Sequence, residues 1–180
     1  MILTAFRRTH RNSNIHVLYG AIVARARSPV FYAAYGVPDT VEGRFELIVL
    51  HLVLFLNRLG RDGAAARIGQ QVFDVFCRDL DDNLREMGIG DLAVPRKMRR
   101  FGEAFYGRQE TYRAALAAAD KRALEKALAR NIFAVGGVDE RAARLAGYVR
   151  ALASLLDATA EDLLITGKAV FPSPEAFADA

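Results

Sequence analysis

The sequence predicts an all-α protein: a single helical domain of about six to seven helices around a buried, Leu-rich central helix. Three observations predict it. Apolar residues recur at three- and four-residue spacing along most of the 180-residue chain. Ala, Leu, Arg and Glu dominate, and runs of strand-forming residues are scarce. Residues 47–56 read LIVLHLVLFL, apolar except for His51, and a helix apolar on every face is buried on every face. That run is too short to span a bilayer, which takes roughly 20 apolar residues. Glu46 closes it on one side, Asn57 and Arg58 on the other, and its five Leu in ten residues favour helix over a buried strand.

In chain order, residues 1–11 carry Arg7, Arg8 and Arg11 without an acid and read as a basic N-terminal arm. The helical domain covers 12–170. Its first helix, 12–27, shows Ile15, Leu18, Tyr19 and Ile22 on one face and stops at Ser28-Pro29. Residues 28–38 read as a loop with three aromatics (Phe31, Tyr32, Tyr35) and with Gly36 and Pro38 as turn residues. The leucine helix, about 40–59, opens on Asp39-Thr40-Val41-Glu42, which has the spacing of a capping box with Asp39 as the cap, and closes at Gly60. From 63 to 87 the stripe is Ile68, Val72, Val75, Phe76, Leu80, Leu84 and Met87, broken by Gly88-Ile89-Gly90. Pro95 suits the first turn of a helix reaching about 119. A helix over 121–134 is capped by Asp120, one over 140–157 by Asp139, and a short one follows Thr159. Residues 171–180 hold two prolines and read as a tail.

Composition narrows the function. The chain is 52% hydrophobic and 26% charged with a net charge of +4, which fits a folded domain with a large core. Cys77 is the single cysteine, so no internal disulfide framework or multi-cysteine zinc site is expected, and a reducing compartment is. Ala24-Arg25-Ala26 mimics a signal-cleavage site, but His16, Tyr19 and Arg25 spoil the pattern, so the expectation is a cytoplasmic protein. Cations are clustered: residues 1–27 carry five Arg and no acid, and 96–100 read RKMRR, giving Arg96, Lys97, Arg99 and Arg100. Such clusters suit an anionic partner, RNA or lipid headgroups, and equally a solvated helix face.

A catalytic constellation is not found. None of His10, His16 and His51 has a carboxylate three residues before it, so no metal is expected. His51 alone would have to carry a haem, and it reads better as a hydrogen-bonded core histidine. Cys77 stands in an apolar stretch, where a thiol behaves as a small hydrophobe, and a nucleophile pair would require it to meet His51. Asp74, Asp79, Asp81, Asp82 and Glu86 read as a solvated face or, alternatively, as an acidic docking surface. Gly88-Ile89-Gly90 lacks the strand a dinucleotide turn needs. The sequence therefore describes a binding module, not an enzyme, with no cofactor.

Two stretches carry more information. One is Tyr35-Gly36-Val37-Pro38-Asp39-Thr40-Val41-Glu42-Gly43-Arg44-Phe45-Glu46-Leu47, continuing into Leu50-His51. The other is Met87-Gly88-Ile89-Gly90-Asp91-Leu92-Ala93-Val94-Pro95-Arg96-Lys97-Met98, continuing into Glu103-Ala104-Phe105-Tyr106-Gly107-Arg108. In order and spacing both resemble the signature segments of the ubiquinol–cytochrome c chaperone family, over roughly residues 28–118. The resemblance implies an assembly factor of the respiratory cytochrome bc complex, peripheral at the inner membrane. It would meet newly made cytochrome b, or another subunit of that complex, near the ribosome, together with a small partner protein. The chain resembles the short bacterial form.

The resemblance makes Asp39, Gly43, Arg44, Asp91, Tyr106 and Arg108 candidates for client or partner binding. Arg7, Arg8, Arg11, Arg96, Lys97, Arg99 and Arg100 are candidates for an anionic surface. Arg44 has Asp39 and Glu46 as neighbours to pair with, or else faces a ligand, and Gly43 and Gly107 would suit one close helix crossing. Two further readings stand beside the chaperone: a helical carrier of a quinone, haem or lipid, and an RNA-binding helical protein. A closed internal pocket would favour the carrier, an open apolar groove the chaperone, and basic clusters beside exposed aromatics the RNA binder.

Overall fold

The computed structural model describes residues 2–60, 62–137, 139–166 and 173–177, with side chains from residue 14 onward. Among these residues every regular element is helical. The elements are α1 (Ile2–Ala26), α2 (Val30–Ala33), α3 (Val41–Leu59), α4 (Gly63–Glu86), α5 (Val94–Ala117), α6 (Arg122–Asn131), α7 (Glu140–Ala158), α8 (Glu161–Ile165) and a 3₁₀ turn, Pro174–Phe177. Six of these helices have ten residues or more. Residues 2–11, read from sequence as an arm, form the first turns of α1, whereas apolar periodicity begins only at Ile15.

The Leu-rich helix α3 is the centre. It packs against α1, α4, α5 and α7, and every residue from Leu47 to Phe55 is buried, as a helix apolar on all faces requires. Its cap differs from the sequence expectation. Thr40, not Asp39, caps the first turn: Thr40 is extended (φ −117°, ψ 168°) and its Oγ1 accepts from the Gly43 amide at 3.1 Å. Asp39 is drawn away by Arg44, whose Nε donates to Oδ1 at 2.6 Å. Gly60, at φ +74°, ends the helix in a conformation that glycine adopts without cost.

Around this centre, α4 and α5 form one hairpin and α6 and α7 another. Asp139 caps α7, accepting from the amides of Arg141 and Ala142. Asp120 Oδ1 accepts from the Arg122 amide at 2.9 Å, ahead of α6. The expected aromatic loop instead contains the short α2, which carries Phe31 into the core beside Tyr35. From the proline-rich end of the chain, the 3₁₀ turn docks on α2 and α7. Tyr35 donates its hydroxyl proton to the Pro174 carbonyl at 2.7 Å, and Phe177 meets the Tyr148 ring edge-on at 6.2 Å.

Candidate functional site

The second half of α4 and the first half of α5 meet through aromatic residues. Phe76 lies 5.4 Å from Phe101 and 6.2 Å from Phe105, Phe45 of α3 packs at 5.4 Å from Phe101, and Tyr19 of α1 reaches Phe76 at 6.2 Å. Tilted and edge-on rings at 4.5–7 Å add to the stabilisation from burial alone. This seam is a packed aromatic floor. At its outer end it opens to solvent as a groove of about 390 Å³, lined by Leu56, Gly60, Ala66, Gly69, Gln70, Phe73, Phe105, Tyr106 and Gln109.

Two features shape the groove. Gly69 lets α4 close on α3, for a Cβ there would stand 3.2 Å from Leu56 Cδ2 and 3.3 Å from Leu59 Cδ1. Phe73 leans on Phe105 (4.8 Å) and Tyr106 (6.1 Å), forming an aromatic wall, and Tyr106 itself is 59% exposed. Gln70 and Gln109 supply amides at the edge, and Gln70 Nε2 donates to Asp74 at 2.8 Å. The trough is lined by aromatic rings and by the two glutamine amides, and it is open on one side, so a molecule lying in it would keep part of its surface in water, unlike one in an enclosing ligand pocket.

Of the candidate residues, Tyr106 lines the groove. Arg108, on the same helix, turns to α3 and donates through two nitrogens to Glu46, Nε to Oε2 at 2.7 Å and Nη2 to Oε1. That pair, exposed by 25% on the Arg108 side chain and 13% on the Glu46 side chain, fixes α5 against α3. Arg44, two residues before Glu46 near the start of α3, is paired with Asp39 and has its guanidinium carbon 6.0 Å above the Tyr32 ring. The Arg44 hydrogen bond holds the Asp39 carboxyl below the usual carboxylate range. Asp91 accepts from Arg85 in the turn between α4 and α5. Neither Asp39, Arg44 nor Asp91 lines the groove.

Gly43 and Gly107 do not mark a shared crossing. A Cβ on Gly43 would lie 2.0 Å from the Pro38 carbonyl oxygen, so the glycine admits the incoming chain, not another helix. Nothing lies within 4 Å of a Cβ on Gly107, and α5 runs unbroken through it. Arg96, Lys97, Arg99 and Arg100 are exposed on the first turns of α5, and none forms an ion pair among the described residues. The side chains of Arg7, Arg8 and Arg11 lie outside the described ones.

His51 is buried and its ring is fully used. Nδ1 lies 2.7 Å from the Leu47 carbonyl, which can only accept, so Nδ1 carries the proton. Nε2, 2.9 Å from Tyr148 Oη, then accepts the hydroxyl proton. Burial lowers its pKa to about 4, against an upward pull from the Leu47 carbonyl. Burial, then Asp74, pushes the half-buried Cys77 thiol up, which disfavours the thiolate. Among the described residues no group of three or more His, Cys, Asp or Glu is arranged to hold a metal ion, and no helix is long and apolar enough to cross a membrane. Sequence reasoning missed Leu56, Gly69, Gln70, Phe73 and Gln109. The available signal was Gly69 inside a helical run followed four residues later by Phe73, a notch beside a ring on one helix face.

Comparisons with known proteins agree with one another. A family model described as ubiquinol-cytochrome C chaperone matches residues 33–171. A Xenopus laevis protein named ubiquinol-cytochrome-c reductase complex assembly factor 1 is 29% identical over 157 residues, covering 86% of this chain and 78% of the relative. A solved structure, the crystal structure of the Cbp3 homolog from Brucella abortus, superimposes with a TM-score of 0.86 at 36% identity, over 97% of this chain and 98% of that one.

Proposed function

The chain belongs to the ubiquinol–cytochrome c chaperone family, and from that premise we propose that it serves cytochrome bc complex assembly by holding an apolar segment of newly made cytochrome b in the groove between α4 and α5. The observation that carries this reading is the open aromatic trough walled by Phe73, Phe105 and Tyr106. An apolar helix can lay one face there, with side chains at i and i+3 or i+4 entering the trough, and then leave. Tyr106 is already exposed, so a client can reach its ring without a large rearrangement of the protein.

Gly43 and Arg108 support this surface from behind: Gly43 seats the start of α3, and Arg108 locks α5 to it through Glu46. Asp39, Arg44 and Asp91 are exposed away from the groove and are assigned to a protein partner. The cations of 96–100, with Arg7, Arg8 and Arg11, would hold the chaperone against an anionic surface next to its client. No catalytic turnover belongs to this role. The carrier reading has less support, because the groove is open and both His51 ring nitrogens are engaged within the protein.

The test is chemical crosslinking in growing cells followed by affinity capture of the full chain. Cytochrome b in the captured material, lost when Tyr106 and Phe73 are replaced by Asp and Ser, supports the reading. Equal recovery with the folded double variant contradicts it.

A further inference from the structure

Where α4 hands over to α5, the chain leaves apolar side chains in water. Met87, at the end of α4, is 71% exposed, and Leu92, in the turn, is 98% exposed. The turn itself is well built. Gly88 takes φ +80°, its amide donates to the Arg85 carbonyl at 2.9 Å, and the Ile89 amide donates to the Leu84 carbonyl at 3.1 Å. This is the two-bond helix ending in which the residue after the glycine packs back on the last turn. Ile89 and Leu84, which stand at the two positions concerned, are both partly buried. Arg85 also ties Asp91 to the helix end. Leu92 has no such structural duty, yet the turn holds it outward.

Beside it stand Arg96, Lys97, Arg99 and Arg100, none of them in an ion pair among the described residues. From 85 to 100 the chain has five cations against two carboxylates, Glu86 and Asp91. Cations at a helix N-terminus oppose the helix dipole, so their placement disfavours the helix on its own. Resting on the anionic-surface reading above, we propose that this turn is a lipid-contacting tip for an anionic phospholipid bilayer. Leu92 and Met87 enter the boundary between headgroups and acyl chains, and the four cations of α5 hold headgroup phosphates. Glu86 and Asp91 keep the insertion shallow. RNA fits the same tip less well: single-stranded RNA is gripped by stacking bases on aromatic rings, and 87–100 contains none. Phe101, the next residue, is committed to the seam with Phe45 and Phe76.

The chain has no tryptophan, so Leu92→Trp creates a single fluorescent reporter at the tip. The full chain with this substitution is mixed with vesicles of phosphatidylcholine containing one-third phosphatidylglycerol, with pure phosphatidylcholine vesicles and with ribosomal RNA. The expected result is a blue-shifted emission, quenched by brominated acyl chains, on the anionic vesicles alone. Co-sedimentation should weaken at least tenfold in Met87→Asp/Leu92→Asp and roughly fivefold for each cation neutralised by glutamine, with melting midpoints not lowered. Co-sedimentation that persists in the Asp variant without an emission shift overturns the lipid tip and leaves the anionic-surface reading standing. Salt-sensitive binding to RNA without vesicle binding overturns the tip in favour of RNA, and binding to neither overturns both.

Discussion

The carbonyl oxygen of Pro38 occupies the space a side chain on Gly43 would need, 2.0 Å from the position of a Cβ. The chain can therefore turn from Pro38 into α3, with Thr40 as cap, only while residue 43 is glycine. Gly43→Ala must push a backbone atom aside or break the first turn. Overpacking of this kind costs about 1–3 kcal/mol or more, which lowers the melting midpoint by several degrees. Gly107→Ala, in an exposed helix position with nothing within 4 Å, should instead raise stability by about 0.5–1 kcal/mol. Thermal unfolding of the two variants checks the opposite signs.

Leu50 is fully buried at the centre of α3. Leu50→Ala should cost about 2–5 kcal/mol through lost transfer energy and a residual cavity. Urea denaturation reads this as a lower midpoint with an unchanged slope, and an unmoved midpoint would remove α3 from the core.

Acid should act through His51. Its folded pKa of about 4 lies below the 6.5 of an exposed histidine, because burial disfavours the imidazolium. Between these values the unfolded chain binds a proton that the folded chain refuses, so stability falls as pH drops from about 6.5 to about 4. The full difference is on the order of 3 kcal/mol. In His51→Gln, denaturation midpoints measured across this range should lose most of that slope, while stability at neutral pH also falls because the Tyr148 hydroxyl loses its fitted acceptor.

Arg108 and Glu46 should be coupled. Removing either alone leaves a largely screened-off charge without its two-point partner, costing about 1–3 kcal/mol. A double-mutant cycle with Arg108→Met and Glu46→Gln should return a coupling of about 1 kcal/mol or more. A coupling near zero would mean that the pair does not hold α5 against α3.

The helices were readable because their signals are local. Five Leu in the run 47–56, the proline at the head of α5, the glycine after α3 and the cap Asp139 each act within a few residues, and each sits where sequence placed it. The cap of α3 was misassigned by one residue because Asp39 and Thr40 are both good caps, and the choice is made by Arg44, which captures the carboxylate. The groove was readable only as a notch, Gly69 beside Phe73 on one helix face; it arises where two helices diverge, and no spacing within α4 alone shows that Gly69 will face Leu56 and Leu59. Tyr106 emerged only through the family resemblance, which marks a position without saying what it touches. The partner of Arg108 is 62 residues away in sequence, and only packing reveals it.

The central claim, that the α4–α5 groove receives the client, is tested most directly by placing a photo-crosslinking amino acid at Tyr106 and, as a control, at the exposed Ala143 of α7 in cells making cytochrome b. The account predicts an irradiation-dependent adduct with cytochrome b from position 106 and none from 143, with the adduct abolished by Phe73→Ser in the folded protein. Equal adducts from both positions, or an adduct from 143 alone, would contradict it.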